Sequence, residues 1–206
     1  MNTVANGNTS TFFRLGSRTW GHVTVLTTLL IISVVINVGL SAKVGQLRSA
    51  IDTLKDENRL KADMPAPAIQ AKKLDGEAAL INYAGSNMPT ILYIFSPQCH
   101  WCASNLENAK ALYNGTSGKY RFLALSLSEE KLGEYVAENK IEFPVYSGLS
   151  EETRSAYKLG GTPETIVVSA DGRILKTWMG TYSPNVLPEV EQYFNVRLPG
   201  LQEIKH

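Results

Sequence analysis

The first strong pattern in the chain is an absence of charge. No Asp, Glu, Lys or Arg stands between Arg18 and Lys43, and residues 23–40 read VTVLTTLLIISVVINVGL. The gap of 24 residues reaches about 36 Å as a helix, enough to cross a hydrocarbon core of ~30 Å with some tilt. Because the stretch is apolar on every face, it predicts a transmembrane helix over 21–42, preceded by a tail at 1–20. A cleaved signal peptide is the main rival. Its apolar region is normally about 7–15 residues long, and Leu40-Ser41-Ala42 is a poor cleavage site, which favours an uncleaved signal anchor. Arg14 and Arg18 before the span nearly balance Lys43 and Arg48 after it, so flanking charge does not orient it.

A different pattern follows over 43–63. Val44, Leu47, Ile51 and Leu54 fall on a and d positions of two heptads, with the polar Asn58 at the next a position. This predicts a solvated helical stalk that ends before Met64-Pro65-Ala66-Pro67, whose prolines disfavour continuation. Two heptads leave a short coiled coil, and with it a homodimer through the stalk, open.

From residue 64 the periods alternate. Thr90–Phe95 (TILYIF) and Phe122–Leu127 are continuous apolar runs that predict buried strands. Between them, Cys102–Tyr113 has helical spacing, with Asn114-Gly115 as its stop. Glu129–Asn139 predicts a helix capped by Ser128, Phe143–Tyr146 a brief strand, and Thr153–Leu159 a helix stopped by Gly160-Gly161. Asp171-Gly172 joins strands Thr165–Val168 and Ile174–Trp178 as a hairpin, and Ser183-Pro184 opens a last helix to about Phe194. The order predicts an α/β domain over 64–206, a central sheet flanked by helices with an antiparallel hairpin at one side.

Composition sharpens this division. The 206 residues carry 20 basic and 19 acidic side chains, a formal charge of +1 that gives no case for nucleic-acid binding. That neutrality is an average. Residues 1–63 hold 7 basic and 4 acidic groups, residues 64–206 hold 13 and 15. The two cysteines are too few for a disulfide-stapled scaffold or a four-thiolate zinc site.

Those cysteines carry the chemistry. Cys99-His100-Trp101-Cys102 sits just after a predicted buried strand, where a helix begins. Backbone N–H groups and the helix dipole stabilise an anion there, which favours the nucleophilic thiolate at Cys99. Cys102, one turn on, is placed to resolve a mixed disulfide. The plainer readings are two structural cysteines or half a zinc site. Zinc would need two more ligands, and the other histidines are His22 in the span and His206 at the end, so no metal is expected. His100 either stabilises the thiolate as imidazolium or stands neutral in solvent, and Trp101 suits an apolar docking surface. Gly160-Gly161-Thr162-Pro163 precedes the hairpin, and its spacing alone favours a trans turn, since only ~5–6% of X-Pro bonds are cis.

Taken in order, Pro65-Ala66-Pro67, Leu74-Asp75-Gly76, the Thr90–Phe95 strand running into Ser96-Pro97-Gln98-Cys99-His100-Trp101-Cys102, Gly161-Thr162-Pro163-Glu164-Thr165 and Ser169-Ala170-Asp171-Gly172-Arg173-Ile174 make the chain resemble the thioredoxin superfamily. Within it they resemble the membrane-anchored TlpA/ResA-like thiol–disulfide oxidoreductases of the redoxin group. The resemblance implies a thioredoxin-like fold from about Pro65 to Phe194, with Pro163 cis and packed on the active-site sulfurs. It also implies that Thr162 offers its backbone to an extended substrate segment by strand addition. It implies a redox-active Cys99–Cys102 disulfide in place of any bound cofactor, protein disulfides or dithiols as substrates, and a membrane thiol donor of electrons. It places the chain in a bacterial inner membrane with the redox domain in the periplasm, as a reductant with a role like that in cytochrome c maturation.

Two positions depart from these relatives. Tyr93 stands where thioredoxins carry a buried acid, and Asn105 where ResA-like proteins carry a Glu, which leaves water or Glu107 to take the Cys102 proton. The His-Trp pair also differs from its counterparts, so no redox potential carries over. Two rivals remain: a peroxiredoxin-like peroxidase, which wants a Thr and an Arg about a single Cys, and a non-catalytic copper-binding or assembly protein, which wants a distant His. Asn8-Thr9-Ser10 and Asn114-Gly115-Thr116 match a glycosylation pattern that has no bearing in a bacterial chain.

Overall fold

A computed structural model of the protein describes residues 17–57 and 59–202. The expected tail at 1–20, the heptad position Asn58 and the glycosylation pattern at Asn8 lie wholly or mostly outside the described residues, as does His206. The chain divides into two units, 1–57 and 58–206.

The first unit is one unbroken helix, α1 (Ser17–Glu57). No proline interrupts it, and its stretch Val25–Ile51 is long and apolar enough to cross a membrane, with none of it buried against protein. The helix runs through the expected junction of span and stalk at 42–43. It ends at Glu57, several residues before the prolines expected to stop it.

The second unit is a seven-stranded mixed sheet of β1 (Ile69–Lys73), β2 (Ala78–Ile81), β3 (Thr90–Phe95), β4 (Arg121–Ser126), β5 (Val145–Ser147), β6 (Glu164–Val168) and β7 (Ile174–Met179), in the order β2-β1-β5-β4-β3-β6-β7. Strand β3 (Thr90–Phe95) lies near its centre and is buried along its whole length. It pairs in parallel with β4 (Arg121–Ser126), which pairs in parallel with β5 (Val145–Ser147). On the other side β6 (Glu164–Val168) runs antiparallel to β3, and β7 (Ile174–Met179) antiparallel to β6. The β6–β7 turn closes where Gly172 takes a φ of +80°, a left-handed position glycine tolerates.

The period of two in β3 builds two cores. Ile91, Tyr93 and Phe95 face one side, packed with helices α2 (His100–Thr116), α3 (Leu132–Glu138) and α5 (Leu187–Phe194). Leu92 and Ile94 face the other, packed with Tyr157, which follows α4 (Glu151–Ala156). A strand buried on both faces reads as a continuous apolar run, which is why TILYIF was legible as a strand.

Several boundaries differ from expectation. The hairpin β1 (Ile69–Lys73) and β2 (Ala78–Ile81) escaped the sequence pattern, because it is short, alanine-rich and carries lysines outward. It extends the sheet past β5, so hairpins flank the parallel core on both sides. Asn114-Gly115 does not stop α2. A Cβ on Gly115 would lie 2.7 Å from Cγ1 of Val196, so this glycine permits close approach of the segment after α5. Helix α3 begins three residues later than predicted, because the Ser128 hydroxyl accepts from Glu130 N (3.2 Å) in a local turn and Lys131 adopts a φ of 53°. Helix α4 starts at Glu151, capped by Ser150, and α5 starts at Leu187, because 183–186 forms a turn first. Before β1, residues 63–66 lie along the start of β7: Asp63 N donates to Ile174 O and Ala66 N to Gly172 O, both at 2.8 Å.

Candidate active site: a thiol pair at a helix start

The end of β3 delivers the chain to the site. Ser96, Pro97 and Gln98 turn it, and Gln98 Nε2 donates to Glu130 O (2.9 Å), tying the loop to the approach of α3. Cys99 is then the N-cap of α2, with extended backbone (φ −83°, ψ 110°). Its Sγ accepts from the Cys102 N–H at 3.1 Å, the place where an Asp or Ser oxygen commonly caps a helix. A sulfur held there already receives one of the orphan N–H donors of the first turn, and an anionic sulfur receives it more strongly.

The two thiols differ in environment. Cys99 is half-buried and Cys102 is buried at 1% exposure. Burial pushes the Cys102 thiol up to about 12, the bond with Cys99 adds to this, and the Thr162 hydroxyl partly opposes it. Cys102 therefore stays protonated while Cys99 keeps access to solvent.

Thr162 and Pro163 close over the pair from the β6 side. The Thr162–Pro163 bond is cis. Cys99 Sγ donates to the Thr162 carbonyl at 3.5 Å, and the Pro163 carbonyl accepts from Gly180 N at 2.7 Å. Trp101 is 59% exposed, and the exposed ring of His100 meets it edge-on at 5.4 Å. The sequence-predicted residues Cys99, Cys102 and Thr162 thus share hydrogen bonds, and Pro163 is buried beside them. Trp101 stands outward on the first turn of α2. No group of three or more His, Cys, Asp or Glu side chains gathers among the described residues.

Beneath the sulfurs lies a polar layer that the sequence pattern missed. Asn105 is fully buried, and its Oδ1 accepts from Tyr182 N and from Asn108 Nδ2, both at 3.0 Å. Its Nδ2 donates to Tyr93 Oη at 3.5 Å, while Tyr182 Oη shares a bond of 2.6 Å with Thr165 Oγ1. The spacing of Cys102, Asn105 and Asn108 along one helix side was the available signal. Glu107, a weak expected acceptor for the Cys102 proton, is exposed and bonded to Lys110 (2.8 Å), which turns it away from that task. Glu164, next to Pro163, is 4% exposed. Burial pushes its carboxyl up to about 7 against the pull of Arg59, and its Oε2 has no partner among the described residues.

A mixed sheet, a thiol at the start of its central helix and a cis proline facing that thiol agree with the comparisons. A family model for a thioredoxin-like domain matches residues 76–195, more than half of the chain. No curated protein matches. Among solved structures the chain is similar to the thioredoxin domain of a thiol-disulfide oxidoreductase from Bacteroides vulgatus (20% identity, TM-score 0.55, covering 66% of this chain and 99% of that one). It is also similar to StoA from Bacillus subtilis (22%, 0.50, 62% and 97%) and to a peroxiredoxin-like protein from Aquifex aeolicus (13%, 0.52, 66% and 87%). At these identities the neighbours share the fold alone, while the family match spans both cysteines, the cis proline and every strand from β2 to β7. The chain belongs to the thioredoxin-like domain family.

Proposed function

We propose that the chain is a membrane-tethered thiol–disulfide oxidoreductase of the TlpA/ResA-like kind, in which Cys99 attacks and Cys102 resolves. One observation carries the reading: a half-exposed sulfur caps a helix, and a buried, protonated thiol donates its backbone N–H to it. Exchange needs that asymmetry, because the thiolate is the nucleophile and the second thiol must wait for the mixed disulfide.

In the reductive direction, Cys99 sulfur attacks a partner's S–S bond, and one partner sulfur leaves as thiolate. Cys102 then loses its proton and attacks Cys99 Sγ, and the second partner sulfur leaves. The partner gains two electrons and two protons, and the enzyme ends as the Cys99–Cys102 disulfide. Thr162 offers its backbone to an extended partner segment, and Trp101 an apolar contact. The exposed apolar stretch 25–51 tethers the domain to a bacterial inner membrane facing the periplasm, where a membrane thiol donor returns the electrons.

The test is insulin disulfide reduction by the full chain in detergent. Cys99→Ser is expected to lose all turnover, and full activity in that variant sinks the mechanism. Neither rival is favoured by an observation of its own. The fold is shared with a peroxiredoxin-like protein, but paired thiols one helical turn apart favour intramolecular resolution over a lone peroxidatic cysteine. Tight stoichiometric Cu(I) binding by a reduced chain that exchanges no disulfide would establish the copper reading instead.

A further inference from the structure

One amide stands inside the apolar helix with part of its bonding capacity unused. Asn37 lies six positions, about 9 Å of helix, before Lys43, and no other Asn or Gln stands between Arg18 and Lys43. Its Nδ2 donates back along α1 to the Ser33 carbonyl at 2.7 Å, with Ser33 Oγ at 3.4 Å. That uses one of the two Nδ2 hydrogens. The other hydrogen and the Oδ1 acceptor have no partner among the described residues, and the side chain is exposed. Water would complete this amide at no cost. In the hydrocarbon of a membrane, where the tethered reading puts it, only another polar group can.

The position of Asn37 says which group. Val44, Leu47 and Ile51 mark the a and d seam of the stalk. Counted back toward the N-terminus, the same alternation of three and four falls on Leu40, Asn37 and Ser33 without a skip. Helix α1 carries that register unbroken, because it runs from Ser17 to Glu57 without interruption. The seam is open along its length: Leu40, Val44, Leu47 and Ile51 are 40–63% exposed. Asn37 takes an a position. Two copies inserted in one membrane with one orientation run parallel, and in a parallel pair each a residue faces its own counterpart. The two Asn37 side chains therefore meet. Each donates its spare hydrogen to the Oδ1 of the other, and both amides are complete. Nothing else along the seam inside the lipid supplies the attraction. Leu40 gains little by leaving lipid tails as apolar as itself. Lys43 and Arg48, at g and e positions, are both basic and face each other across a parallel pair.

We infer that the chain is a parallel homodimer whose α1 helices pair along the seam from Ser33 to Ile51, joined by the two Asn37 amides inside the membrane. The inference rests on the tethered reading above. The apolar a and d residues set the register, and the amides hold the pair and limit it to two copies.

The experiment is sedimentation equilibrium of the full chain in detergent, with and without Asn37→Leu and Asn37→Gln. The parent is expected at twice the mass of one chain. Two interhelical amide bonds are worth roughly tenfold in association, so Asn37→Leu is expected to raise the dimer dissociation constant about tenfold. Asn37→Gln keeps both donor and acceptor and is expected to stay within about threefold of the parent. In isolated membranes, a reporter cysteine replaces Leu47 on the seam or Ser49 on the opposite side, in a chain with Cys99→Ser and Cys102→Ser. Oxidation is expected to cross-link Leu47→Cys and to leave Ser49→Cys as single chains. A monomeric parent, a trimer, a dimer that Asn37→Leu leaves unchanged, or equal cross-linking at both positions would each overturn the inference. Alkaline extraction of the same membranes separates the two readings. A chain released by alkali overturns the tethered reading and this inference with it, whereas a chain that stays in the membrane as a monomer overturns this inference alone.

Discussion

At the scale of single residues, two buried polar side chains make opposite predictions about stability. Asn105 satisfies the Tyr182 N–H and the Asn108 amide in a fully buried position. Asn105→Ala leaves both donors unpaired beneath the site. An unsatisfied buried group costs about 1–3 kcal/mol, so a loss of roughly 3 kcal/mol is expected, read as a lower urea midpoint at unchanged slope. Glu164 behaves in the other sense. The folded chain keeps its carboxyl protonated up to about pH 7, whereas an unfolded chain releases that proton near ~4.3. Between those values the folded state binds more protons, so the stabilising effect of this group is full below the lower value and lost as pH rises through the upper. The loss amounts to roughly 3 kcal/mol. Glu164→Gln should flatten that part of the curve, leaving the variant more stable than the parent near pH 8 but not near pH 4. Urea titrations at both pH values check this, and a parallel offset at the two would contradict it.

At the scale of elements, what was legible depended on whether a local pattern met a tertiary demand. The strand Thr90–Phe95 and the hairpin around Asp171-Gly172 were readable because burial on both faces and a left-handed turn residue leave marks in one short window. So was the thiol pair, because strand, turn and helix start are adjacent in sequence. The polar layer was not, since Asn105 and Tyr182 are 77 residues apart. Gly115 misled for the same reason: a helix-stop residue locally, it answers a packing constraint set by Val196. Gly115→Ala gains about 1 kcal/mol of helix propensity but forces a contact that costs about 1–3 kcal/mol. The single variant should be destabilised. In a Val196→Ala background, where the obstructing methyls are gone, the same substitution should be neutral or stabilising. Thermal melts of the four chains decide it, and additive effects would contradict the packing account.

At the scale of the whole molecule, near-neutral charge conceals two units of different composition. One is a continuous helix with an apolar stretch over 25–51, and the other is a mildly acidic domain whose chemistry is held in one loop and one helix start. The tethered reading predicts that the chain stays with membranes through alkaline extraction and that a membrane-impermeant maleimide reaches Cys99 from the periplasmic side. Release by alkali, or labelling from the cytoplasmic side alone, would contradict it. The central claim is narrower than location: Cys99 attacks and Cys102 resolves. The most direct measurement is mass analysis of the adducts formed by the full chain, Cys102→Ser and Cys99→Ser with glutathione disulfide. The expected result is a stable, reductant-sensitive adduct on Cys99 in Cys102→Ser, only a transient one in the parent chain, and none in Cys99→Ser. A stable adduct on Cys102 in Cys99→Ser, formed as fast as the parent's, would contradict the account.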